Sequence, residues 1–256
     1  MKGSVSLAIS TLIASTHGWT FSTGAAAGFV FSSQQQNMVL ETSSRQPNET
    51  SSVPVQFGSS NVTVGVNITD TALPGVDSQV TDPRAIVVTY DLAWAGGRSL
   101  NETIGSMSRV CFSTPASPLS QTAANKDSGN GDCTSALGSD CVQALKDSNP
   151  DCSTPPLIPD QCSSAFQDSG TTGSFTLPQN ISDPATIYAE AGQIVAASDS
   201  EAQLHKAEGL RFVLLQAGDA VSPVCIRVAS AGASISGAMK MWAVVTVVIA
   251  GVLNLA

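Results

Sequence analysis

Residues 85–94 read AIVVTYDLAW. Ile86, Val88, Tyr90, Leu92 and Trp94 fall on one side of an extended chain, with Val87, Thr89, Asp91 and Ala93 on the other, because successive strand side chains point to opposite faces. The period of two, the β-branched and aromatic content and the closing Gly96-Gly97 predict a strand. Upstream the same alternation recurs in Val62, Val64, Val66 and Ile68, set against Asn61, Thr63, Asn67 and Thr69. Val53, Val55 and Phe57 precede them. Pro54 has no N–H to give a ladder, which predicts a sheet edge there. Gly58-Ser59-Ser60 reads as the hairpin turn between the two strands, and residues 71–84, with two prolines, Gly75, Asp77 and Asp82, read as a loop.

Working outward, residues 28–39 open the fold with Phe29 and Phe31, and the polar stretches 32–36 and 41–52 read as exposed loops. Downstream, 107–112 is a short strand carrying Cys111. Residues 173–177, 210–216 (LRFVLLQ) and 224–228 (VCIRV) are further strands, 187–196 is a strand that also admits a helix, and 199–207 is a helical turn. Seven or more short strands without a long amphipathic helix predict a mainly β chain folded as an antiparallel β-sandwich, with a β-barrel as the alternative. Trp94 is expected to plug the core or a sheet edge.

Residues 113–170 change character: Gly, Ser, Asp, Asn and Pro dominate, and Cys133, Cys141, Cys152 and Cys162 crowd together. Asp140 is placed to cap a short helix over 141–147, with Val142 and Leu145 inward, and the prolines at 150, 155, 156 and 159 keep the rest irregular. So long a loop needs ties, and the cysteines supply them. With Cys111 and Cys225 they make an even set of six, none in a C-x-x-C pair, which predicts disulfides over zinc or redox thiols. Locality favours Cys133–Cys141 and Cys152–Cys162, leaving Cys111–Cys225. Against that last bridge, each of those two cysteines shares its strand parity with an arginine, Arg109 or Arg227, on the wetter face.

The two ends read as export and attachment signals. Met1-Lys2 followed by Val5, Leu7, Ala8, Ile9, Leu12, Ile13 and Ala14 resembles a secretory signal peptide, here taken as residues 1–18. Residues 241–256, MWAVVTVVIAGVLNLA, form a 16-residue apolar run, short of the roughly 20 that a spanning helix needs. Before it stand the small residues Ser230-Ala231-Gly232 and a polar spacer over 233–240. That pattern is a removable signal for a glycosylphosphatidylinositol (GPI) anchor over 230–256, with Ser230 as the attachment residue and Gly232 and Ser234 as alternatives. Between the signals, residues 19–229 make one extracellular domain. Asn48, Asn61, Asn67, Asn101 and Asn180 begin N-x-[ST] triplets without proline and are expected N-glycosylation sites, Asn61 and Asn67 both on the solvent face of their strand. The net charge of −9 with only 11 Lys and Arg excludes a nucleic-acid partner, which demands phosphate neutralisation.

Catalytic patterns are sparse. The chain has two histidines, His17 and His205, and no G-x-S-x-G, H-E-x-x-H or Gly-rich phosphate loop. His205 sits in the polar segment SDSEAQLHKAEG and reads as an exposed helix histidine. Asp127 to Asp132 (DSGNGD) gathers oxygen ligands but lacks the distal Glu of an EF-hand, so it reads as a Gly-rich turn. A cut after Thr16 would start the mature chain at His17, as in copper proteins resembling lytic polysaccharide monooxygenases, with His205 as the second ligand. Thr is a poor residue before a cleavage site, and no further motif of that family is present.

Signal peptide, sequon-rich β domain, the segment G-D-C-x7-C-V-x2-L over 131–145 and the terminal attachment signal together resemble the uncharacterised GPI-anchored surface glycoproteins of filamentous fungi. The resemblance is at the level of class and carries no catalytic residue. It implies a non-enzymatic cell-surface or cell-wall glycoprotein in adhesion, wall organisation or recognition, held to the membrane by a lipid, without a cofactor, with wall polysaccharide or a surface protein as its partner. The alternative is a secreted polysaccharide-active or copper-binding protein.

Overall fold

The computed structural model of the chain describes residues 13–14, 20–23, 33–57, 60–76, 80–94, 96, 99–104, 109–115, 119–148, 158–167, 172–177, 181 and 183–228. In chain order its elements are β1 (Ile13–Ala14), β2 (Thr20–Thr23), α1 (Ser33–Arg45), β3 (Glu49–Phe57), β4 (Ser60–Ala72), β5 (Pro83–Trp94), α2 (Leu100–Ile104), β6 (Val110–Pro115), α3 (Gln121–Ala124), β7 (Asn130–Gly131), α4 (Thr134–Leu137), α5 (Ser139–Asp147), a 3-10 turn (Asp160–Cys162), β8 (Thr172–Leu177), β9 (Ala185–Ala196), α6 (Ala197–Ala207), β10 (Gly209–Ala217) and β11 (Ala220–Val228). One sheet has the order β1-β2-β9-β5-β4-β3 and the other β7-β11-β10-β6-β8. Neighbours are antiparallel except for the parallel pair β2–β9. Neither sheet closes on itself, so the architecture is a mainly β sandwich, as expected, and not a barrel.

The alternation read from the sequence builds the core. Val62, Val64, Val66 and Ile68 of β4, Ile86, Val88, Tyr90, Leu92 and Trp94 of β5, and Val213, Leu215, Val224, Ile226 and Val228 of the second sheet are all buried in one inter-sheet cluster. Each such side chain contributes about 1.5–3 kcal/mol by leaving water. Tyr90, Phe112 and Tyr188 meet at its centre with ring centroids 5.3–5.9 Å apart. β3 lies at the sheet edge, where Pro54 can be tolerated, and Phe57 opposite Ser60 closes the expected hairpin.

The outer faces depart from expectation. Residues 33–45, most of which were expected to be exposed loop, form helix α1. Gln36, Val39 and Ser43 point inward at helical spacing, and Val39 packs on Leu73, Ala85, Val87, Ala189 and Ala191 on the outer face of β5 and β9. Only one of the three inward residues is apolar, so no hydrophobic period betrays the helix. Its Gln, Met, Leu and Glu content nevertheless favours one. The second sheet turns Leu210, Phe212, Leu214, Val221 and Cys225 outward, and the cysteine-rich insertion covers them with Leu119, Leu137, Leu145, Cys162 and Phe166. The short helix expected after Asp140 is α5, which begins at Ser139 and takes Asp140 into its first turn. The last helix, α6, starts at Ala197 and follows directly on β9, which is a strand throughout.

The cysteine pairings are corrected. The bridges are Cys133–Cys225 and Cys141–Cys162, not Cys133–Cys141, Cys152–Cys162 and Cys111–Cys225. Cys111, itself disulfide-bonded, sits opposite Gln216 of β10, whereas Cys225 sits opposite Phe212 on that strand's other side. β10 thus separates them by two strand spacings, roughly 10 Å, across the sheet and by four residues, roughly 13 Å, along it, well beyond the roughly 7 Å a disulfide spans between Cα atoms. β7 pairs Gly131 with Cys225, and this delivers Cys133 two residues later to its partner. The outward face of Cys225 is dry because the insertion lies on it, and Arg227 next along the strand is held by the carbonyls of Ala124 and Asp127.

The Cys133–Cys225 bridge spans 92 residues and the Cys141–Cys162 bridge 21. Loop-closure entropy then assigns about 4.6 kcal/mol to the first and about 3.4 to the second. Replacing each pair by alanine in separate variants is expected to lower the urea midpoint in that order. Equal midpoints would show that strain or residual unfolded structure dominates.

Candidate functional site

β5 and β9 lose register once where they run towards α6. Ala85 pairs with Ile194 and Val87 with Ala191, so Ile86 alone faces Gly192 and Gln193. Two residues against one is a β-bulge, a feature that bends a strand and re-aims its side chains. A Cβ at Gly192 would lie 3.4 Å from the Ile86 carbonyl, so the bulge fits closely against β5. Past the bulge β9 runs into α6, which folds back along the sandwich, and Arg211 of β10 reaches in from the opposite sheet.

These elements enclose a cleft of about 190 Å³. It is lined by Ile86 and Val88 of β5, which give it an apolar floor at the sheet, by Glu190, Gly192 and Gln193 of β9, by Gln203, Lys206 and Ala207 of α6, and by Arg211 of β10. Glu190 sits opposite Val88, and Arg211 shares the parity of Val213 and Leu215. Both are therefore charges at inter-sheet positions, where the remaining side chains are apolar or aromatic. Arg211 is fixed: one guanidinium nitrogen donates to the Ala207 carbonyl at the end of α6, an orphan acceptor of that helix. The buried Tyr90 hydroxyl lies beneath. Burial pushes its pKa well above the ordinary value, the Arg211 guanidinium opposes this, and Glu190 adds to it. Tyr90 stays neutral at any physiological pH. Among the described residues the side chains of Glu190, Gln193, Gln203 and Lys206 make no hydrogen bond or ion pair. The cleft thus presents a carboxylate, an ammonium, a guanidinium edge and two amides to solvent. Arg211 at an inward parity was a readable signal in LRFVLLQ. The bulge that opens the cleft was not.

A second polar cluster crosses the outer face of the first sheet. The Asp91 carboxylate accepts from Thr186 Oγ1 at 2.7 Å and Asn67 Nδ2 at 2.6 Å, and Asn67 Oδ1 accepts from Thr50 Oγ1 at 2.7 Å. Burial raises the Asp91 pKa, and the two hydrogen bonds pull it back only in part. Asn67 is on the side away from the valines, as expected, but that side is covered: the residue is 8% exposed. Both polar atoms of its amide are engaged in hydrogen bonds to Thr50 and Asp91.

The other sequence candidates are scattered. Asn48 and Asn61 are exposed, Asn48 accepting from the Asp70 amide. Asn101 lies in α2. Asn180, Cys152, His17, Ser230, Gly232 and Ser234 lie outside the described residues. His205 stands exposed on α6, 2.9 Å from Glu208. Among the described residues no group of three His, Cys, Asp or Glu side chains is arranged for a metal. The Asp127–Asp132 segment is a tight bend over Asp127–Gly129 that leads into the short strand β7. Asp127 Oδ1 accepts from the Gly129 amide at 2.6 Å, Gly129 adopts φ +73°, and a Cβ there would lie 2.1 Å from the Arg227 nitrogen. Asp132 accepts from the hydroxyl and amide of Thr134 at the start of α4, which holds its carboxyl below the usual range. A wider groove of about 680 Å³ runs along α5 between Asp140, Asp147 and Gln161, and Asp147 is occupied by Gln143. No protein-family model matches the chain, and neither does a curated protein nor a solved structure.

Asp91 sets the sign of a pH effect. Its folded pKa is above the unfolded value, near 3.9, so the fold binds a proton that the unfolded chain has released. Its contribution to stability is greatest below pH 3.9 and is lost as pH rises through the folded pKa. Denaturation of the Asp91→Asn variant across that window is expected to lack this component of the slope. An unchanged slope would show that water screens the carboxylate. Peptide mapping of the protein from a glycosylating secretory host is expected to find the buried Asn67 less occupied than the exposed Asn48 and Asn61.

Proposed function

We propose that this chain is a non-enzymatic glycoprotein of the cell surface or cell wall, tethered by a GPI lipid and working by recognition. The observation that carries the reading is the oxidised cysteine set. Two bridges lie inside the insertion core and no described cysteine is free, which fits an oxidising, extracellular compartment. It agrees with the export signal at 1–18, the small-residue site at 230–232 and the exposed Asn48 and Asn61. The last strand ends at Val228, two residues before the expected attachment residue Ser230. The cleft residues offer charged and amide groups suited to recognition, and the sole described histidine lies on the surface beside Glu208.

The tether is tested with phosphatidylinositol-specific phospholipase C or mild wall digestion, either of which is expected to release the protein. A membrane-retained mature chain that still carries residues 241–256 would overturn it. N-terminal sequencing addresses the opposing class: a start at His17 with bound copper would replace recognition with oxidative polysaccharide chemistry.

A further inference from the structure

The strongest unassigned feature is the cleft beside the β9 bulge. Charges at inter-sheet positions are costly unless paired. Glu190 and Arg211 are opposite charges on facing sheets and do not close on each other. Arg211 is instead anchored to the Ala207 carbonyl and the Tyr90 hydroxyl, and the Glu190 carboxylate has no hydrogen-bond or ion-pair partner among the described residues. Lys206 adds a second cation on the same rim. The space between them, about 190 Å³, is smaller than the cavities of roughly 300 Å³ and more that take drug-sized molecules. It suits a single ring.

We propose that this cleft binds one acidic monosaccharide unit, a uronic acid, of an extracellular polysaccharide. The sugar carboxylate lies between Arg211 and Lys206. A guanidinium has five donors, so those spent on the Ala207 carbonyl and the Tyr90 hydroxyl leave others for the ligand. Ring hydroxyls donate to Glu190 and exchange hydrogen bonds with the Gln193 and Gln203 amides, groups that both give and accept. The C–H face of the ring rests on Ile86 and Val88. Two cations to one carboxylate select an anionic sugar over a neutral one, and the apolar floor selects a ring over a free inorganic anion. The proposal rests on the recognition reading and is independent of the lipid tether.

The test uses the full chain in the form a secretory host delivers, titrated with a uronic-acid trisaccharide and with the same trisaccharide after carboxyl reduction, by calorimetry and ligand NMR. Saturable binding of the acid form, at least ten-fold tighter than of the reduced form, supports the site. Lys206 is exposed, so Lys206→Met is expected to keep the native melting temperature and weaken the acid form about ten-fold. Glu190→Gln keeps an acceptor and is expected to weaken it only a few-fold. No binding, equal binding of both sugars, or an unaffected Lys206→Met variant would overturn the proposal. Appearance of new reducing ends during the titration would uphold the site and overturn the recognition reading instead.

Discussion

A strand that is apolar on both faces needs two covers, and most of this architecture follows from that. β5 turns Ile86, Val88, Tyr90, Leu92 and Trp94 to one side and Ala85, Val87 and Thr89 to the other, all of them buried. The second sheet covers the first set. It is then itself apolar outside, through Leu210, Phe212 and Leu214. The chain answers with α1 over the first sheet and the disulfide-tied insertion over the second, so that helix, sheet, sheet and insertion stack as successive layers. The layers differ in means. The inter-sheet core is wide and rich in Val, Ile and aromatic side chains. The α1 layer relies on alanines that let a helix approach closely. The insertion contributes few large side chains, and covalent bridges compensate for what a small core cannot supply.

How much of this was legible depended on whether the deciding contact was local. The alternation in β4 and β5 is a property of neighbouring residues, and it placed Val62 to Ile68 and Ile86 to Trp94 on the face they occupy. The edge position of Pro54 followed from its missing N–H. Helix α1 escaped because Gln36 and Ser43 are polar residues buried by tertiary packing, which no hydropathy pattern records. The cysteine pairing escaped because it depends on β10 running between Cys111 and Cys225, and on β7 carrying Cys133 to the far strand. Asn67 shows the limit of parity: its face was read rightly, but not whether that face was wet, which the Thr50 and Asp91 contacts settle. For the cleft, the inward Arg211 was visible and the register slip beside Gly192 was not, since a bulge is a relation between two strands.

The polar side chains at inter-sheet positions also divide the sandwich into two ends of different character. At one end, Leu92 and Trp94 extend the dry core to the strand termini. At the other, Arg211 and Glu190 give way to solvent beneath α6.

The Cys133–Cys225 bridge has a mechanical meaning. Any pull on the chain beyond Val228 is felt first by β11, which would peel from β10 one residue pair at a time. After Val228, Arg227 and Ile226 it meets Cys225, where a covalent bond to Cys133 transfers the load into the insertion. Force cannot unzip the last strand past that point. It must instead shear the helical layer from the sheet as a unit, so the domain resists tension applied at its C-terminal side far better than hydrogen bonds between two strands would allow.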